Sequence, residues 1–582
     1  MDKKKILILG AGYAGISAAQ KLDKLIGKDP QVEISLINQS PYHTLLTELH
    51  EVAGNRVGSD AVTVPLNGIF KKSHINLITD YIEDIDFEAK VLKSATEEYH
   101  YDYLVLGVGS KPAFYNIPGM EEHSFTLWSL EDALTIKEHV QEMFAEAAVE
   151  TSPVERQKLL TFVVGGGGFT GVEMIGELME WVPDLCEEYH VDPAEVKLVI
   201  VEALDQILPV LRDSLVRKAE EFLAERGVMV LTGSPITGVE PDKITLKKGE
   251  EEKTIHTRTL IWTGGVKANP CINDKDLEKA RRGRLKVNDY LQIPQQEKVY
   301  AVGDVACFTT EDGSTLPALV EAALQAGENC AHNIVADLKG NAKEEFKPKL
   351  HGVMVSIGSK YALSNAMGIP MSSLPALGMK HMVNLHYLFG IGGFKLIFKY
   401  LHHEFLNERG LFSMIIDHFK VKTSVAWLVI LRIILGIRLL SEGLTKINEG
   451  WLGSENVLVS GSSSVLWSAG TPDWYVNFAK AFIVPNFAIF QKAIVLGEIF
   501  IGFAFIFGIF TFLAALGALG MSANFIIGGL GAEGGIWEPI WLFFVSLTML
   551  AGPGRAFGLD HYVMPFIFNN ILKIKDPKRK DY

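Results

Sequence analysis

Glycines at fixed spacing are the first residues in this chain that could do chemistry. Leu160–Val164 reads as an apolar strand, followed by Gly165-Gly166-Gly167-Gly168-Phe169-Thr170-Gly171 and a helix beginning Val172-Glu173. Gly166, Gly168 and Gly171 have the G-x-G-x-x-G spacing. A turn without Cβ atoms lets backbone N–H groups and a helix N-terminus receive a pyrophosphate. The next strand, Lys197–Val201, ends in Glu202. A carboxylate there accepts hydrogen bonds from both ribose hydroxyls and repels a 2′-phosphate. This half reads as a site for NADH rather than NADPH. The plainer alternative is a tight strand-to-helix turn with no ligand.

The same arrangement opens the chain. The apolar run Ile6–Leu9 meets Gly10-Ala11-Gly12-Tyr13-Ala14-Gly15, and the helix Ile16–Leu25 follows. The run is too short for a signal peptide, whose apolar stretch holds about 7–15 residues. The next strand, Val32–Ile37, ends at Asn38, which can bond a ribose hydroxyl only neutrally. Two dinucleotide sites in one chain suggest one flavin, FAD, and one nicotinamide. The strand Val299–Val302 delivers Gly303-Asp304, and flavoproteins with paired nucleotide domains place such an Asp on the ribityl chain. A helix N-cap is the other reading of Asp304. Two more buried strands with glycine turns, Tyr103–Ser110 with Gly109 and Thr259–Gly265 with Gly264, read as crossings between a flavin domain and an inserted nicotinamide domain.

These turns need elements to hold them, and the composition shows where the rest of the chain goes. At 582 residues the chain exceeds one domain. The net charge of −14 argues against a nucleic-acid partner. Cys186, Cys271, Cys307 and Cys330 form no C-x-x-C pair and no metal-ligand spacing, which suits an intracellular setting without a disulfide framework or a bound metal. Mean hydropathy is +0.18, and the apolar excess is local. Four runs, Val425–Leu440, Ala493–Phe510, Phe512–Leu530 and Trp537–Ala551, are near membrane-helix length. Lys420 and Lys422 precede them, Arg555, Lys573, Lys575, Lys578, Arg579 and Lys580 follow, and Glu533 and Glu538 lie between the last two. The positive-inside rule puts both ends and the nucleotide domains in the cytoplasm, in a multi-pass protein of the cell membrane. Arg432, Arg438 and Glu498 are intramembrane ionisable groups, readable as an Arg–Glu pair between helices or as a quinone head-group site. Leu385–Leu411 mixes Phe394, Leu396, Ile397 and Phe398 with Lys395, Lys399 and Arg409; it reads as a membrane-surface segment or as a core helix.

Residues 1 to about 420 resemble the type II NADH dehydrogenases, single-subunit non-pumping NADH:quinone oxidoreductases. The resemblance rests on both glycine fingerprints, Asn38 with Tyr42-His43, Leu49-His50-Glu51, Gly303-Asp304, Met379-Lys380 and His386–Gly393. It implies FAD on the first fingerprint, NADH on the second, a membrane quinone as acceptor, Glu173 near the nicotinamide–flavin contact, and Lys380 at the flavin or quinone edge. A solvated surface lysine is the other reading of Lys380. Where the family has Ala-Gln-x-Ala beside the quinone, this chain has Val320-Glu321-Ala322-Ala323. Glu321 reads as a quinone-facing acid or as an ordinary acid of a helix first turn. The tail resembles the DoxX family of four-helix membrane proteins through Arg432, Gly436, Glu442-Gly443, Lys446, Glu498 and Gly552-Pro553-Gly554-Arg555 with Asp560.

The expected fold is therefore α/β, two Rossmann-like dinucleotide-binding domains of the FAD/NAD-linked reductase type, plus an all-α four-helix transmembrane bundle. The expected division is 1–112 and 265–345 for FAD, 113–264 for NADH, 346–420 for the membrane-surface region and 421–582 for the bundle. Lipid bilayer and quinone are the expected partners, and a homodimer is an assembly this reading allows. Two other functions fit the same residues: an NADH oxidoreductase passing electrons through the tail to another acceptor, and a nucleotide-binding redox sensor.

Overall fold

A computed structural model describes residues 3–311, 313–405, 426–453, 455–457, 466–530 and 536–566. Residues 406–411 of the membrane-surface segment and the charges at Lys420, Lys422, Glu533 and Lys573–Lys580 lie outside the described residues. The chain divides into two compact units, Met1–Met414 and Ile415–Tyr582.

The first unit is built on two sheets. One orders its strands Gln292–Ile293, Gln296–Ala301, Tyr103–Leu106, Lys4–Leu9, Val32–Asn38, Asn76–Thr79. Ile6 pairs in parallel with Ile34 on one side and Tyr103 on the other. The chain leaves this sheet after Leu106 and returns to it at Gln292. In between it builds an all-parallel second sheet, ordered Phe125–Thr126, Thr259–Trp262, Thr161–Gly165, Lys197–Val201, Val228–Leu231. Central strands such as Tyr103–Leu106, Thr161–Gly165 and Thr259–Trp262 are buried at every position. Helices cover both faces of a parallel sheet, so continuous apolar runs rather than alternating ones form its strands.

Both glycine turns sit at the C-terminal edge of a central strand. The helices after them run Tyr13–Ile26 and Phe169–Tyr189. Each starts three residues earlier than its expected start, because the last glycines of the fingerprint already adopt helical geometry. An antiparallel sheet of Gly352–Ile357, Tyr361–Ala366 and Ile369–Ser372 follows, and its first strand packs on the helix Phe169–Tyr189 at Gly176. The helices Leu374–Gly392 and Phe394–Phe405 end the described part of this unit.

In the second unit, helices span Ala426–Asn448, Asp473–Phe507, Thr511–Gly528, Trp537–Met549 and Asp560–Phe566. The long one passes through a π-turn at Ala479–Ile483 and a 3₁₀ turn at Val484–Asn486. Asp473–Phe507 and Thr511–Gly528 are long and apolar enough to cross a membrane. The helix Ala426–Asn448 packs on Phe487–Phe507 through Gly436 and Gly502; a Cβ on either would stand 2.8 Å from the facing backbone. Small residues at such a contact let helix backbones approach closely.

Candidate functional site

The two turns are built alike. Neither following helix has a side-chain cap on its N-terminal glycine, so the leading N–H groups face the turn. A Cβ on Gly15 would lie 1.9 Å from the Gly10 carbonyl oxygen, and one on Gly171 would lie 1.8 Å from that of Gly166. Those glycines close the turns. Gly12 and Gly168 face open space: the nearest atom to a Cβ on Gly12 is 4.0 Å away, and Gly168 has nothing within 4 Å. An uncapped helix N-terminus with open space in front of it fits a pyrophosphate at each turn.

The polar residues around the turns hold them in shape. Asn38 Oδ1 accepts from Ala11 N at 2.9 Å and Asn38 Nδ2 donates to Ser40 O at 2.8 Å. Glu202 accepts from Gly167 N at 2.6 Å and from Leu204 N at 2.8 Å. Asp304 accepts from Ser110 Oγ at 2.9 Å, tying the 3₁₀ turn Gly303–Val305 to the crossing strand after Gly109. Gly109, with φ +69°, has nothing within 4 Å of a Cβ position, and Gly264 abuts Gly166: a Cβ on Gly166 would stand 2.9 Å from the Gly264 backbone. Below the first turn, His43 is fully buried between Ala11 O at 2.8 Å and the Tyr387 hydroxyl at 2.8 Å; burial pushes it down to about 4, so it stays neutral.

Glu173 and Lys380 meet in a buried charge cluster that sequence reading located only in part. Lys380 Nζ donates to Glu51 Oε1 at 2.9 Å and Ser356 Oγ at 3.3 Å, and lies 3.3 Å from Glu48 Oε2. The surface reading of Lys380 is corrected: it is 7% exposed. Arg56 reaches Glu177 at 3.0 Å, Glu404 at 2.8 Å and Glu51 at 2.5 Å. His50 Nδ1 lies 3.7 Å from Glu173, whose other oxygen accepts from Ser356 N at 3.4 Å. Gly54 makes this convergence possible, since a Cβ there would stand 2.4 Å from the Cβ of Glu177.

Five carboxylates thus face two cations. Burial raises the Glu51 carboxyl, but Arg56 and Lys380 outweigh it and hold it well below the usual range. Burial dominates for the others, pushing Glu48 and Glu173 up to about 8 and Glu177 and Glu404 up to about 7. Burial lowers Lys380, but Glu48 and Glu51 outweigh it and keep the ammonium well above its ordinary range. Oxygens of Glu48, Glu51 and Glu404 lie within 4.8 Å of one another, a spacing that suits a cation, and the Arg56 and Lys380 side chains supply that charge.

Arg56, Glu177, Glu48 and Glu404 were not singled out from the sequence. One signal was available: Glu173, Glu177 and Glu180 recur at i, i+4 and i+7 on the first, largely apolar part of a helix. Glu321 does not join this cluster. It sits on the first turn of the helix Val320–Lys339, accepting from His351 N at 2.9 Å and pairing with the His351 ring. Gln325, one turn on, clasps Lys349 through both its backbone groups, at 2.7 and 2.9 Å.

The helix Phe394–Phe405 has two faces. Phe394 and Phe398 are each 67% exposed, whereas Tyr400 and Glu404 are buried. His403 reaches Asp60 at 3.1 Å.

In the second unit, Glu498 pairs with Lys446 at 2.7 and 2.8 Å, so the expected Arg–Glu pair between helices is replaced by a Lys–Glu pair. Arg432, fully buried, donates to the carbonyls of Pro553, Ala556 and Phe557 at 2.7, 3.1 and 3.1 Å. Arg438 pairs with Glu442 at 3.0 Å and with Glu538. Asp560 accepts from Phe510 N at 2.6 Å and Thr511 N at 3.0 Å, closing the tight turn between two helices.

The family model described as pyridine nucleotide-disulphide oxidoreductase matches residues 4–327. The type II NADH:quinone oxidoreductase of Staphylococcus aureus (strain NCTC 8325 / PS 47) is 32% identical over 399 residues, covering 68% of this chain and 98% of that protein. Among solved structures, NDH2 from Plasmodium falciparum in complex with NADH is similar with a TM-score of 0.62 at 18% identity, covering 69% of this chain and 98% of that one. The sulfide:quinone oxidoreductase of Aquifex aeolicus is similar with a TM-score of 0.56 at 19% identity, covering 72% and 96%. At such identities the solved structures speak to the fold.

Proposed function

Because the chain belongs to the type II NADH:quinone oxidoreductases, within the pyridine nucleotide-disulphide oxidoreductase family, we propose that it oxidises NADH and reduces a membrane quinone at a flavin, without pumping protons. The observation that carries this reading is the pair of uncapped glycine turns with open space at Gly12 and Gly168. One turn suffices for a dehydrogenase. Two in one unit suit a flavin and a nicotinamide side by side.

Gly10, Gly12 and Gly15 would hold the pyrophosphate of FAD, Asn38 and Asp304 its ribose and ribityl hydroxyls, with Gly109 and Gly303 leaving room. Gly166, Gly168, Gly171 and Gly264 would hold NADH, and Glu202 its adenosine ribose. When bound, FAD supplies two-electron transfer between nicotinamide and quinone. Glu173 borders the NADH helix start, and Lys380 holds positive charge beside Glu48 and Glu51. Glu321 acts on the quinone half-reaction through its hold on His351.

The second unit is a multi-pass membrane domain, supported by the two helices of spanning length and by the Lys446–Glu498 pair and the carbonyl contacts of Arg432 in its interior. The exposed Phe394 and Phe398 suit a bilayer surface. Both ends and the nucleotide sites are assigned to the cytoplasm.

The test is purification in detergent, a flavin absorption spectrum, and an anaerobic NADH titration followed by menaquinone and ubiquinone analogues. Bleaching by NADH and recovery on quinone addition are expected. A colourless protein that takes up no FAD would reject the reading. Bleaching without recovery by any quinone would redirect it to another acceptor.

A further inference from the structure

Lys111 and Lys267 face each other across an antiparallel ribbon, Ser110–Pro112 against Val266–Ala268, and both are exposed. Like charges directly opposite in such a pair destabilise it. Arg282 adds a third positive charge from the turn Arg281–Gly283, which packs on the same ribbon. We propose that Lys111, Lys267 and Arg282 form a positive gateway that draws the phosphates of NADH toward the second glycine turn. The proposal rests on the NADH reading of that turn.

The position follows from the chain and its contacts. At about 3.3–3.6 Å per residue, the Lys267 backbone lies within roughly 11 Å of Gly264, and Gly264 abuts Gly166 of the turn. Arg282 is tied in more directly. Its Nη1 stands 3.7 Å from where a Cβ on Gly265 would be, and its guanidinium carbon lies 5.8 Å from the centre of the Tyr115 ring. The Tyr115 hydroxyl in turn donates to Gly264 O at 3.3 Å. Arg282 and Tyr115 hold φ +64° and +53°, a backbone region that favours glycine. Such strain persists only where the surrounding structure fixes the residue, and here it sets a guanidinium beside Gly265.

The three cations are uncommitted. Among the described residues, none of them forms an ion pair. Other cations of the same stretch are tied down. Lys275 pairs with Asp84, and Lys286 with Glu278 at 3.5 Å. Lys279 donates to the Asn273 carbonyl at 2.9 Å, and Arg284 Nε to that of Ala306 at 2.9 Å. Side chains alternate along a strand, so the lysines lie on the face away from Ser110, whose hydroxyl reaches Asp304. They face solvent and leave the flavin-side contact alone.

The chain as a whole carries a net charge of −14. That charge repels NADH, whose pyrophosphate is a dianion. A strip of unpaired cations offsets the repulsion over about a Debye length and raises the local concentration of the nucleotide. The lysines need no contact with it, because they act through their field. Arg282 acts at the shortest range.

The test is anaerobic stopped flow on the full-length flavin-loaded protein in an uncharged detergent. Flavin reduction is followed against NADH concentration at about 0.01 M and about 1 M salt, where the screening length is roughly 30 Å and about 3 Å. The triple variant Lys111→Gln, Lys267→Gln, Arg282→Gln is compared with the wild type. Its second-order rate constant at low NADH should fall about tenfold at low salt and less than about twofold at high salt. The limiting rate at saturating NADH should stay the same. Reduced nicotinamide riboside, which has no phosphate, should react equally with both proteins. Lys111→Gln and Lys267→Gln alone should each lose about two- to threefold, and each should raise the unfolding temperature by removing the cross-strand repulsion. These single variants decide the matter if the triple variant fails to fold. A second-order constant unchanged at low salt overturns the gateway. So does a loss that persists at high salt or appears equally with the riboside, since both mark disturbed packing rather than a field. A wild type whose flavin NADH never reduces overturns the NADH reading, and the gateway falls with it.

Discussion

The two units bury ionisable side chains by opposite rules. In the first, Arg56 and Lys380 pair with four carboxylates, Glu48, Glu51, Glu177 and Glu404, and no assignment of pairs neutralises them all. In the second, interior groups are matched: Lys446 with Glu498, Arg432 with three carbonyls, Asp560 with two amides and a hydroxyl. A matched charge has one low-energy protonation state and acts as a fastener. An unmatched one changes state with pH or with its neighbours, which is what proton chemistry needs.

The comparison breaks most visibly at Arg432. In Arg432→Met three buried carbonyls lose their donor, at about 1–3 kcal/mol each, and we expect a loss of roughly 3 kcal/mol or more in the second unit. Thermal unfolding in detergent measures it, while NADH-to-dye turnover per flavin stays at the wild-type value. A stable variant with lost turnover would put the chemistry in the wrong unit.

Next is the pH dependence of Glu177, which is 1% exposed. Burial raises its carboxyl from 4.5 to about 7 in the folded protein. The folded state therefore favours the protonated form: no penalty exists below about pH 4.5, and the full penalty is present once pH has risen past about 7. Stability of the wild type relative to Glu177→Gln should fall across that window, by up to about 3 kcal/mol. Chemical denaturation of both proteins at a series of pH values measures the difference. A flat difference would mean that Arg56 neutralises Glu177 as completely as Lys446 neutralises Glu498.

Lys380→Met leaves the carboxylates facing Arg56 alone, and steady-state turnover with a soluble quinone should drop about a hundredfold with flavin retained. Lys446→Met, its counterpart in the second unit, should lower the unfolding temperature and leave dye turnover unchanged. Equal effects on turnover from both lysines would erase the distinction.

Glu202 sharpens the contrast from within the first unit, because each of its oxygens accepts from one backbone amide and keeps a lone pair for another donor. On the proposed ribose assignment its task is discrimination, so Glu202→Gln should raise the NADPH-to-NADH ratio of kcat/KM by only about tenfold. An unchanged ratio would argue against the ribose assignment. The smallest expected effect is truncation near Lys420: dye turnover and flavin content should persist, whereas quinone reduction in native membranes should fall. Loss of flavin from a folded fragment would show that the tail belongs to the nucleotide sites.

The sequence by itself determined what depends on neighbours along the chain. Gly10–Gly15 and Gly166–Gly171 are turns because of their spacing after apolar strands, and the structure places both at helix starts; only the start residues differ, by three positions. The crossing strands Tyr103–Leu106 and Thr259–Trp262 were likewise legible as fully apolar runs. Partners across space were not legible. Arg432, Arg438 and Glu498 were visible as ionisable groups, but Lys446 took the Glu498 contact because it faces that residue across the Gly443 approach of the two helices. Glu321 was readable as a helix first-turn acid, and only the fold shows that it holds His351. The charge cluster was decided by tertiary structure altogether. Its members come from residues 48–56, 173–177, 380 and 404, and no local period links them. Burial then sets their protonation, since the same glutamate is an anion at the surface and an acid in the interior.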